Sequence, residues 1–582
     1  MKMEKNSKEN AVISSNNTEE GRDPSMHLPA VRTDASTLNE LIDFSCSRFP
    51  SQPALGFAQA TSLTYKEMQE GILSVAARLQ AEGVVSGSRV AILGENSPAW
   101  AMAYLAVVRL GAVGVPIYPE TPASDVRHIL RQTEAEVLFV TGRQLDKIYD
   151  VDLPLQKIIS LDDAADSTGI LALFPFSTCM AEGQLIFADG ESVFPEVQPD
   201  DLASILYTSG ASGFSKAVLL SHANFCANAN SASRVMGLSP GDVFLSVLPV
   251  SHAYEFTVGF LLPLLCGCHI VYAGKTPTPA VLQQICAHER PQVMLIVPLV
   301  MEKIFKKHVL ARIEKSKVVG FVSRFDMGRK LIYKNAGAKL LQFFGGRIKL
   351  LGIGGAGLNP KVERFLRDGG IPFLAGYGLS EAAPLLAGGP YLDEEVACGS
   401  VGKAISGVEI RISDPDVKTG IGEIMARGTN VMQGYLNDPE ATQQAITEDG
   451  WLKTGDLGRL DNKGNLFIEG RLKSVIVLAS GENVYPEVIE HRLNAYPIVE
   501  ETLVVEKHGM LEALIYPNIG YIDAKTKGMT TAARQEYVRR TLSEIRRDIN
   551  ETLPLSSRLS KAIERPEPFE KTATHKIKRY LY

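Results

Sequence analysis

The segment SILYTSGASGFSKAVLLSH, Ser204 to His222, has residue types that could bind a polyphosphate. Glycines let backbone N–H groups turn toward an anion, hydroxyls add donors, and a lysine supplies positive charge. The pattern predicts a strand, a binding loop and then a helix. It is not a Walker A loop, because no Gly-Lys-Ser/Thr occurs in it. A Ser/Gly surface turn is the alternative for the loop alone. The candidate ligands are Thr208, Ser209, Gly210, Ser212, Gly213 and Lys216.

Further polar segments follow in order along the chain. They are LPVSHAYEF with His252, GIGGAG with Gly354, Gly355 and Ala356, GYGLSEAAP with Tyr377, Gly378, Ser380 and Glu381, WLKTGD with Asp456, GRLKSVIVLASGENVYP with Arg471, Lys473 and Gly481, and KTATHKIKRY with Lys576. An aromatic ring can stack on a base, a hydroxyl can reach a phosphate, and a carboxylate can hold Mg²⁺. Taken singly, each segment also fits an ordinary structural residue, a helix cap or a solvated surface charge.

Together these segments resemble the signatures of the superfamily of acyl-CoA synthetases, peptide-synthetase adenylation domains and luciferases. The resemblance extends in order from about Leu38 to Arg579. It implies an α/β fold, with a large N-terminal domain of helix-covered, mainly parallel sheets and a small mobile α+β C-terminal domain. The chain departs from the family pattern at Ala211, Ser212, Ser215, Ala217 and His575, although Ser212 keeps a hydroxyl.

The resemblance also implies a role for each candidate residue. Lys216 would contact the outer phosphates of ATP, Lys576 the carboxylate and the α-phosphate, and His252 would lie beside the acyl pocket. Glu381 would hold Mg²⁺. The adenine would rest on Gly354, Gly355 and Ala356 beside Tyr377 and Gly378. Ser380 would contact the α-phosphate, Asp456 the ribose hydroxyls and Arg471 the ribose or phosphate. Lys473 would be the hinge between the domains, and Gly481 would serve the second half-reaction.

These roles describe a ligase that forms an acyl-adenylate from ATP and then transfers the acyl group to a thiol. The chain ends directly after the Lys576 segment, which favours coenzyme A as a diffusible acceptor. The apolar FTVGFLLPLL after SHAYE and a Lys- and Arg-rich helical insertion from Glu302 to Phe344 resemble the long-chain fatty acyl-CoA branch. A ligase for an acyl carrier protein or an aryl acid is the alternative. The acyl chain length stays open.

Two readings of another class compete with the ligase. GIGGAG contains GxGxxG after an apolar strand, which fits a dehydrogenase, but the next strand, IPFLAGYG, lacks the acid that would bind a ribose. A non-catalytic acyl- or nucleotide-binding pseudoenzyme would explain Ala211, Ser215, Ala217 and His575 as losses. Each of these changes is mild, and every charged role is filled.

Strands alternate with helices through the first part of the chain. Arg89 to Leu93 is a strand, Ser97 caps a helix that begins at Pro98, Gly111 ends the helix, and Ala112 to Ile117 is the next strand. This order predicts a parallel sheet covered by helices. A helix is predicted at Ser124 to Arg131, and further strands at Val137 to Val140, Ile205 to Tyr207, Val293 to Val297, Ile348 to Leu351 and Ile371 to Leu374.

After Gly464 the pattern changes to short strands and a helix with Ile489, Leu493 and Tyr496 on one face. The predicted boundaries are a disordered tail at 1–34, a large domain at 35–472 and a small domain at 473–582 with its hinge at Lys473. A length of 582 residues exceeds what one hydrophobic core supports. A net charge of -6 with interspersed signs gives no footprint for nucleic acid.

The N-terminus lacks the apolar core of a signal peptide, so we expect a cytoplasmic protein. Seven cysteines without metal-ligand spacing predict reduced, mostly buried thiols. Phe256 to Ala273 imitates a membrane span, but Pro263 and Gly267 favour a helix, a turn and a buried strand. We expect no transmembrane span; peripheral membrane contact and the oligomeric state stay open.

Overall fold

The first strand–helix–strand unit shows how local sequence signals set the fold. The computed structural model describes residues 31, 33–149, 152–165, 172–190, 192–208, 216–274, 278–390, 393, 395–478, 483–572 and 576–582. The Ser97 hydroxyl accepts the N–H of Trp100 at 3.0 Å, and the helix Pro98–Arg109 starts with its proline in the first turn. Gly111 has φ +64°, which turns the chain into the next strand. The predicted unit is confirmed.

Two large sheets form the first part of the chain, and most neighbouring strands in each are parallel. Among the described residues, the first has nine strands in the order Lys403–Ala404, Leu385–Pro390, Phe373–Gly378, Leu350–Ile353, Val293–Ile296, Val243–Ser246, His269–Tyr272, Pro53–Phe57 and Leu63–Thr64. The second has eight, in the order Gly434–Tyr435, Lys216–Ser221, Leu202–Thr208, Val113–Ile117, Arg89–Leu93, Val137–Val140, Lys157–Ser160 and Leu173–Pro175. This confirms the predicted fold class.

Helices cover and separate these sheets. Residues Trp100 to Val108 of one helix are all buried, because that helix is apolar on every side and lies inside the core. The Trp100 ring packs edge-on against Phe256 and Phe260. The helices are Leu38–Arg48, Tyr65–Ala81, Pro98–Arg109, Ala123–Thr133, Phe176–Ala188, His222–Met236, Glu255–Leu261, Leu262–Leu265, Pro279–Glu289, Pro360–Asp368 and Pro439–Ala445, with short 3₁₀ turns at Gly142–Ile148 and Ser380–Ala382.

The segment after the predicted phosphate loop corrects the prediction of a helix. Lys216–Ser221 is a strand that pairs antiparallel with Leu202–Thr208 and with Gly434–Tyr435. Its backbone pairs with two neighbouring strands, and Ala217, Val218 and Leu220 are buried on the faces of the sheet, a tertiary arrangement that local sequence does not reveal. The helix begins only at His222, where Ser221 and Asn224 form a capping box.

Two predicted strands are displaced toward the C-terminus. Leu350–Ile353 and Phe373–Gly378 each begin two residues later than the apolar runs predict. Their positions follow from in-register pairing, which joins Ile353 to Ala375. Pairing across the sheet therefore shifted the strand boundaries.

The predicted helical insertion is confirmed. Its helices are Pro298–Ile304, Phe305–Leu310, Ala311–Lys315, Lys317–Val322 and Asp326–Phe343. The membrane-like segment also behaves as predicted, since its helix ends at Leu265, Gly267 has φ +73° and the strand His269–Tyr272 is buried. In the part of the chain that the structure describes, no helix is long and apolar enough to cross a membrane.

Smaller sheets complete the fold. An antiparallel sheet consists of Val408–Ser413, Gly422–Gly428, Leu452–Leu460 and Leu466–Arg471. After the turn Leu472–Ser474 come the paired strands Ile476–Val477 and Asn483–Val484, and a sheet of Val499–Lys507, Met510–Pro517 and Leu559–Glu564. Helices Pro486–Leu493, Ile519–Lys525 and Thr531–Thr552 pack on that sheet, and short turns lie at Leu555–Ser557 and Arg579–Leu581.

The C-terminal segment has its own hydrophobic core. Ile489 and Leu493 are buried in it as predicted, whereas the helix ends before Tyr496, which follows in a turn. Most of the predicted N-terminal tail lies outside the described residues, although the Val31 carbonyl accepts the Ser233 hydroxyl at 3.2 Å. All seven cysteines are free, and every one except Cys398 is buried.

Candidate active site

The predicted phosphate loop joins two antiparallel strands at one end of a large sheet. Thr208 and Lys216 face each other where the strands diverge, and the Thr208 hydroxyl donates to the Lys216 carbonyl at 3.5 Å. The Lys216 ammonium lies 4.3 Å from the centre of the Tyr435 ring. Ser209, Gly210, Ala211, Ser212, Gly213 and Ser215 lie outside the described residues. Thr208 and Lys216 therefore lie side by side at the two ends of the loop.

Glu381 lies close to this loop on a short turn. Its Oε1 accepts the Tyr435 hydroxyl at 3.0 Å, so Tyr435 links the predicted phosphate lysine to the predicted metal carboxylate. The buried Asn228 and Asn430 side chains both donate to the Ala382 carbonyl, at 3.2 and 2.8 Å. These bonds hold the Ser380–Ala382 turn. The structure thus brings Lys216, Ser380 and Glu381 into one region.

Gly378 precedes this turn and admits no side chain. A Cβ there would lie 1.9 Å from the Pro384 carbonyl oxygen, so the chain can double back only over a glycine. The described residues contain no group of three or more His, Cys, Asp or Glu side chains arranged to hold a metal ion. A single carboxylate, Glu381, fits Mg²⁺, which proteins commonly bind through one or two carboxylates together with substrate phosphates.

Asp456 and Arg471 face each other on neighbouring strands. The Arg471 Nε lies 3.3 Å from Asp456 Oδ1, and the Tyr377 hydroxyl donates to Asp456 Oδ2 at 2.9 Å. Burial raises the pKa of Asp456, while the Arg471 charge opposes that shift. One hydrogen bond and one ion pair therefore join three predicted nucleotide ligands, and Tyr377 is held by its hydroxyl.

The glycine-rich turn follows the strand Leu350–Ile353. Gly355 has φ +85°, a backbone conformation that favours glycine. A Cβ on Gly354 would lie 3.0 Å from Cζ of Tyr254, so the absent side chain lets that ring lie close to the strand end. Ala356 follows in the same turn. A Cβ on Gly357 would lie 2.2 Å from the His491 ring, which shows that the C-terminal segment packs against this turn.

His252 is on the loop that precedes the helix Glu255–Leu261. Asn96 holds this loop, because its amide donates to the Leu248 carbonyl at 2.6 Å and accepts the Val250 N–H at 2.9 Å. His252 is exposed at the surface, yet so much protein surrounds it that desolvation lowers its pKa to about 4. The nearby positive charge of Lys576 lowers it further. The imidazole is therefore neutral near pH 7.

Lys576 is carried by a hairpin close to the C-terminus. The Thr572 N–H donates to the Lys576 carbonyl at 2.8 Å, and the Lys576 N–H donates to the Thr572 hydroxyl at 3.2 Å. Salt bridges from Arg579 to Glu490 and from Lys571 to Glu501 fix the two arms of the hairpin. His575 lies outside the described residues.

The Lys576 ammonium faces a group of charges from the rest of the chain. Partial desolvation lowers its pKa, and the Arg471 charge acts in the same direction. The carboxylates of Asp456, Glu487 and Glu381 oppose this shift. The structure therefore brings Lys576 together with Arg471, Asp456 and Glu381, as well as with His252.

Two predicted residues are not placed at the centre of this cluster. Lys473 is exposed in the turn Leu472–Ser474, directly after the strand that carries Arg471. Gly481 lies outside the described residues. The position of Lys473 between two segments is compatible with a hinge, which stays a prediction.

Sequence reasoning missed two residues of the site. Tyr435 gave no signal, because only strand pairing places it beside Lys216 and Glu381. Asn96 stands in GENSP directly before the helix cap Ser97, and a polar residue at the carboxyl end of a buried strand could have identified it. Tyr435 and Asn96 both hold predicted site residues in place: Tyr435 binds Glu381, and Asn96 binds the loop of His252.

Comparison with known proteins agrees with this geometry. A family model described as AMP-binding enzyme matches residues 42–436, and one described as AMP-binding enzyme C-terminal domain matches residues 473–581. The long-chain-fatty-acid–CoA ligase heimdall of Drosophila melanogaster is 30% identical over 550 residues, covering 86% of this chain and 79% of that protein.

Other relatives have different named activities. The 4-coumarate–CoA ligase 3 of Oryza sativa subsp. japonica is 29% identical, covering 82% of each protein. A chloroplastic long-chain-fatty-acid–[acyl-carrier-protein] ligase of Arabidopsis thaliana is 27% identical, covering 78% of this chain and 72% of that protein. Relatives of similar identity thus differ in both acid and acceptor.

A solved structure has the same fold. The anthranilate CoA ligase AuaEII, in complex with anthranoyl-AMP, superposes with a TM-score of 0.74 at 19% identity, covering 95% of this chain and 97% of that one. The dehydrogenase alternative is left without support. The family models, the relatives and the fold agree that this chain belongs to the AMP-binding enzyme family.

Proposed function

We propose that this protein uses ATP and Mg²⁺ to convert a medium- to long-chain fatty acid to an acyl-adenylate. The acyl group is then transferred to coenzyme A, giving acyl-CoA, AMP and diphosphate. The observation that carries the proposal is the position of Lys576 on the C-terminal hairpin, close enough to the rest of the site that the charges of Asp456 and Glu381 act on its pKa and its own charge acts on the pKa of His252. That arrangement supports a site for the first half-reaction.

The first step joins two anions, so its barrier is largely electrostatic. One carboxylate oxygen of the acid attacks the α-phosphorus of ATP, an acyl–phosphate bond forms, and diphosphate leaves. Lys216 at the mouth of the phosphate loop and Lys576 near the reacting groups would offset the accumulated negative charge. Fixed cations in a partly desolvated site stabilise such charge far better than water does.

His252 and Glu381 have complementary parts in this proposal. A neutral His252 can donate a hydrogen bond to the acid without adding a second positive charge beside Lys576. Glu381 would hold Mg²⁺, which neutralises phosphate charge when bound. Tyr435 keeps the Glu381 carboxylate oriented through its 3.0 Å hydrogen bond.

The nucleotide would lie along the group formed by Tyr377, Asp456 and Arg471. Asp456 has a buried carboxylate already fixed by two neighbours, so it can accept ribose hydroxyls without reordering. The turn at Gly354, Gly355 and Ala356 would support the adenine. Thr208, Ser209, Gly210, Ser212, Gly213, Gly378 and Ser380 complete the proposed phosphate and adenine contacts.

In the second half-reaction the thiol needs access to the acyl-adenylate, so Lys576, which serves the first half-reaction, has to move away. We propose that the segment after Lys473 rotates about that residue, so that Lys576 leaves and a thiol can approach, with Gly481 contributing to the second arrangement. The exposure of Lys473 in a short turn supports the hinge, because no core packing has to break there.

The choice of a fatty acid as substrate and of coenzyme A as acceptor rests on further observations. The Drosophila relative's named activity supports both, and the buried apolar helices from Glu255 to Leu265 border the loop that carries His252. The rice relative's name supports an aryl acid instead, and the Arabidopsis relative's name supports an acyl carrier protein. These are the competing candidates within the same chemistry.

ATP–pyrophosphate exchange over a panel of fatty and aromatic acids tests the proposal, followed by thioester detection with coenzyme A and with acyl carrier protein. Exchange with fatty acids and a coenzyme A thioester are expected. Acyl binding without any exchange would overturn the ligase in favour of a pseudoenzyme. Glu381→Gln should fold but lose most of its turnover, and an unchanged Mg²⁺ dependence would remove Glu381 from the site. Glu409→Gln, whose carboxylate pairs with Arg427, should retain activity.

A further inference from the structure

The helical insertion combines positive charge with exposed apolar side chains. Between Glu302 and Phe344 the sequence has eleven Lys and Arg against three Asp and Glu, although the whole chain has a net charge of -6. The positive charge is therefore concentrated on one part of a chain that is acidic as a whole. The mixing of charge signs that holds for the chain as a whole therefore does not hold in this segment.

The apolar side chains of the insertion project into solvent at the helices Lys317–Val322 and Asp326–Phe343. They are Val318, 72% exposed, Phe321, 61%, Phe325, 58%, Met327, 86%, and Leu331, 62%. The Phe321 and Phe325 rings contact each other edge-on, with centres 5.3 Å apart. Large exposed apolar side chains that lie together usually mark an interaction surface.

The opposite side of the insertion anchors it to the large domain. Phe305, Val309, Tyr333 and Leu340 are buried in a hydrophobic cluster with Phe365. The exposure of Met327 and Leu331 is therefore not a consequence of a loosely attached helix, because Tyr333 and Leu340 anchor the same helix. Among the described residues, the helix Asp326–Phe343 is packed on its inner face, while Met327 and Leu331 on its outer face stay exposed.

Cations surround the exposed apolar residues. Arg324, Lys330 and Lys334 are exposed, and Lys330 and Lys334 lie one helical turn apart beside Met327 and Leu331. The acid among these residues, Asp326, forms salt bridges with Arg329 and Lys330. This pattern, apolar side chains bordered by Lys and Arg, suits an interface between acyl chains and anionic headgroups.

We propose that the outer face of this insertion, from Val318 to Lys334, docks on an anionic lipid surface. Phe321, Phe325, Met327 and Leu331 would enter the acyl-chain boundary, and the cations would contact negatively charged headgroups. The helix Pro298–Ile304 leads into the insertion, and Val297 directly before it lies 4.0 Å from the position of a Gly355 Cβ. The chain that leads into the insertion therefore starts beside the glycine-rich turn of the candidate site.

Vesicle sedimentation of the full chain tests docking without requiring turnover. Vesicles of phosphatidylcholine alone are compared with vesicles that also contain phosphatidylglycerol, at low and high salt. The chain should sediment with the anionic vesicles, and salt should weaken binding because the attraction is partly electrostatic. Equal binding to both vesicle types, or none to either, overturns the proposal; failure to bind either would favour an acidic protein as the partner.

Two pairs of variants locate the surface. Phe321→Ser with Phe325→Ser, and Lys330→Glu with Lys334→Glu, should each weaken binding on the order of tenfold or more. Matched controls are Leu185→Ser with Val417→Ser, which are exposed apolar residues elsewhere, and Lys418→Glu with Lys463→Glu. Circular dichroism confirms folding. Undiminished binding by the insertion variants, or equal loss in the controls, refutes this location.

Discussion

The carboxyl group of Glu255 offers a quantitative test of the buried region behind the His252 loop. Glu255 is 1% exposed, its Oε1 accepts the Ser246 hydroxyl at 2.6 Å, and within the described residues its Oε2 has no hydrogen-bond partner. Burial and the Glu255 charge raise the pKa values of Tyr254 and Tyr272, so both phenols stay uncharged near pH 7. Burial raises the pKa of Glu255 from 4.5 to about 8. The carboxyl group is therefore protonated in the folded chain near pH 7.

Glu255→Gln should make the protein more stable than wild type at alkaline pH. Because the pKa of Glu255 is raised by folding, the folded chain favours the protonated carboxyl group. The stability that this group contributes is complete below about pH 4.5 and is lost as the pH rises to about 8. At 1.36 kcal/mol per unit, the loss reaches about 5 kcal/mol. An amide is neutral at every pH and can keep the bond from Ser246.

Calorimetric unfolding of both proteins from pH 5 to 8.5 measures this difference. The melting temperature of Glu255→Gln minus that of wild type should rise with pH and level off above about pH 8. Glu363→Gln is the matched control, since Glu363 is buried but paired with Arg367, and its replacement should destabilise the protein. A difference that stays constant with pH would refute a buried neutral Glu255.

Three further changes test the site. Lys576→Ala should reduce ATP–pyrophosphate exchange by ~100-fold or more yet spare thioester formation from supplied acyl-adenylate, and equal loss of both would contradict its role. Lys473→Pro should impair one half-reaction far more than the other because φ is fixed, whereas Lys473→Ala should retain both; unchanged rates for the proline variant would exclude the hinge. Asn96→Ala should lower the exchange rate by ~10-fold or more and raise the acid's KM, because two backbone groups of the His252 loop lose their partner; an unchanged KM and rate would remove Asn96 from the positioning of that loop.

The prediction of local elements succeeded where the signal was local. The cap at Ser97, the proline at Pro98 and the turn at Gly111 act within a few residues, and the helix between them is as predicted. The segment after the phosphate loop was predicted wrongly, because Lys216–Ser221 is a strand only through its pairing with two neighbours. Strand formation depends on partners that are distant in sequence.

The order of the motifs determined the family and the residue types available for chemistry. It predicted Lys216, Glu381, Asp456, Arg471 and Lys576 as site residues without indicating how they meet. Only the tertiary structure decided that Tyr435 joins Lys216 to Glu381 and that the C-terminal hairpin brings Lys576 to His252. The physical reason is that residue type and spacing set local conformation and chemistry, whereas contacts across the chain depend on how sheets and helices pack.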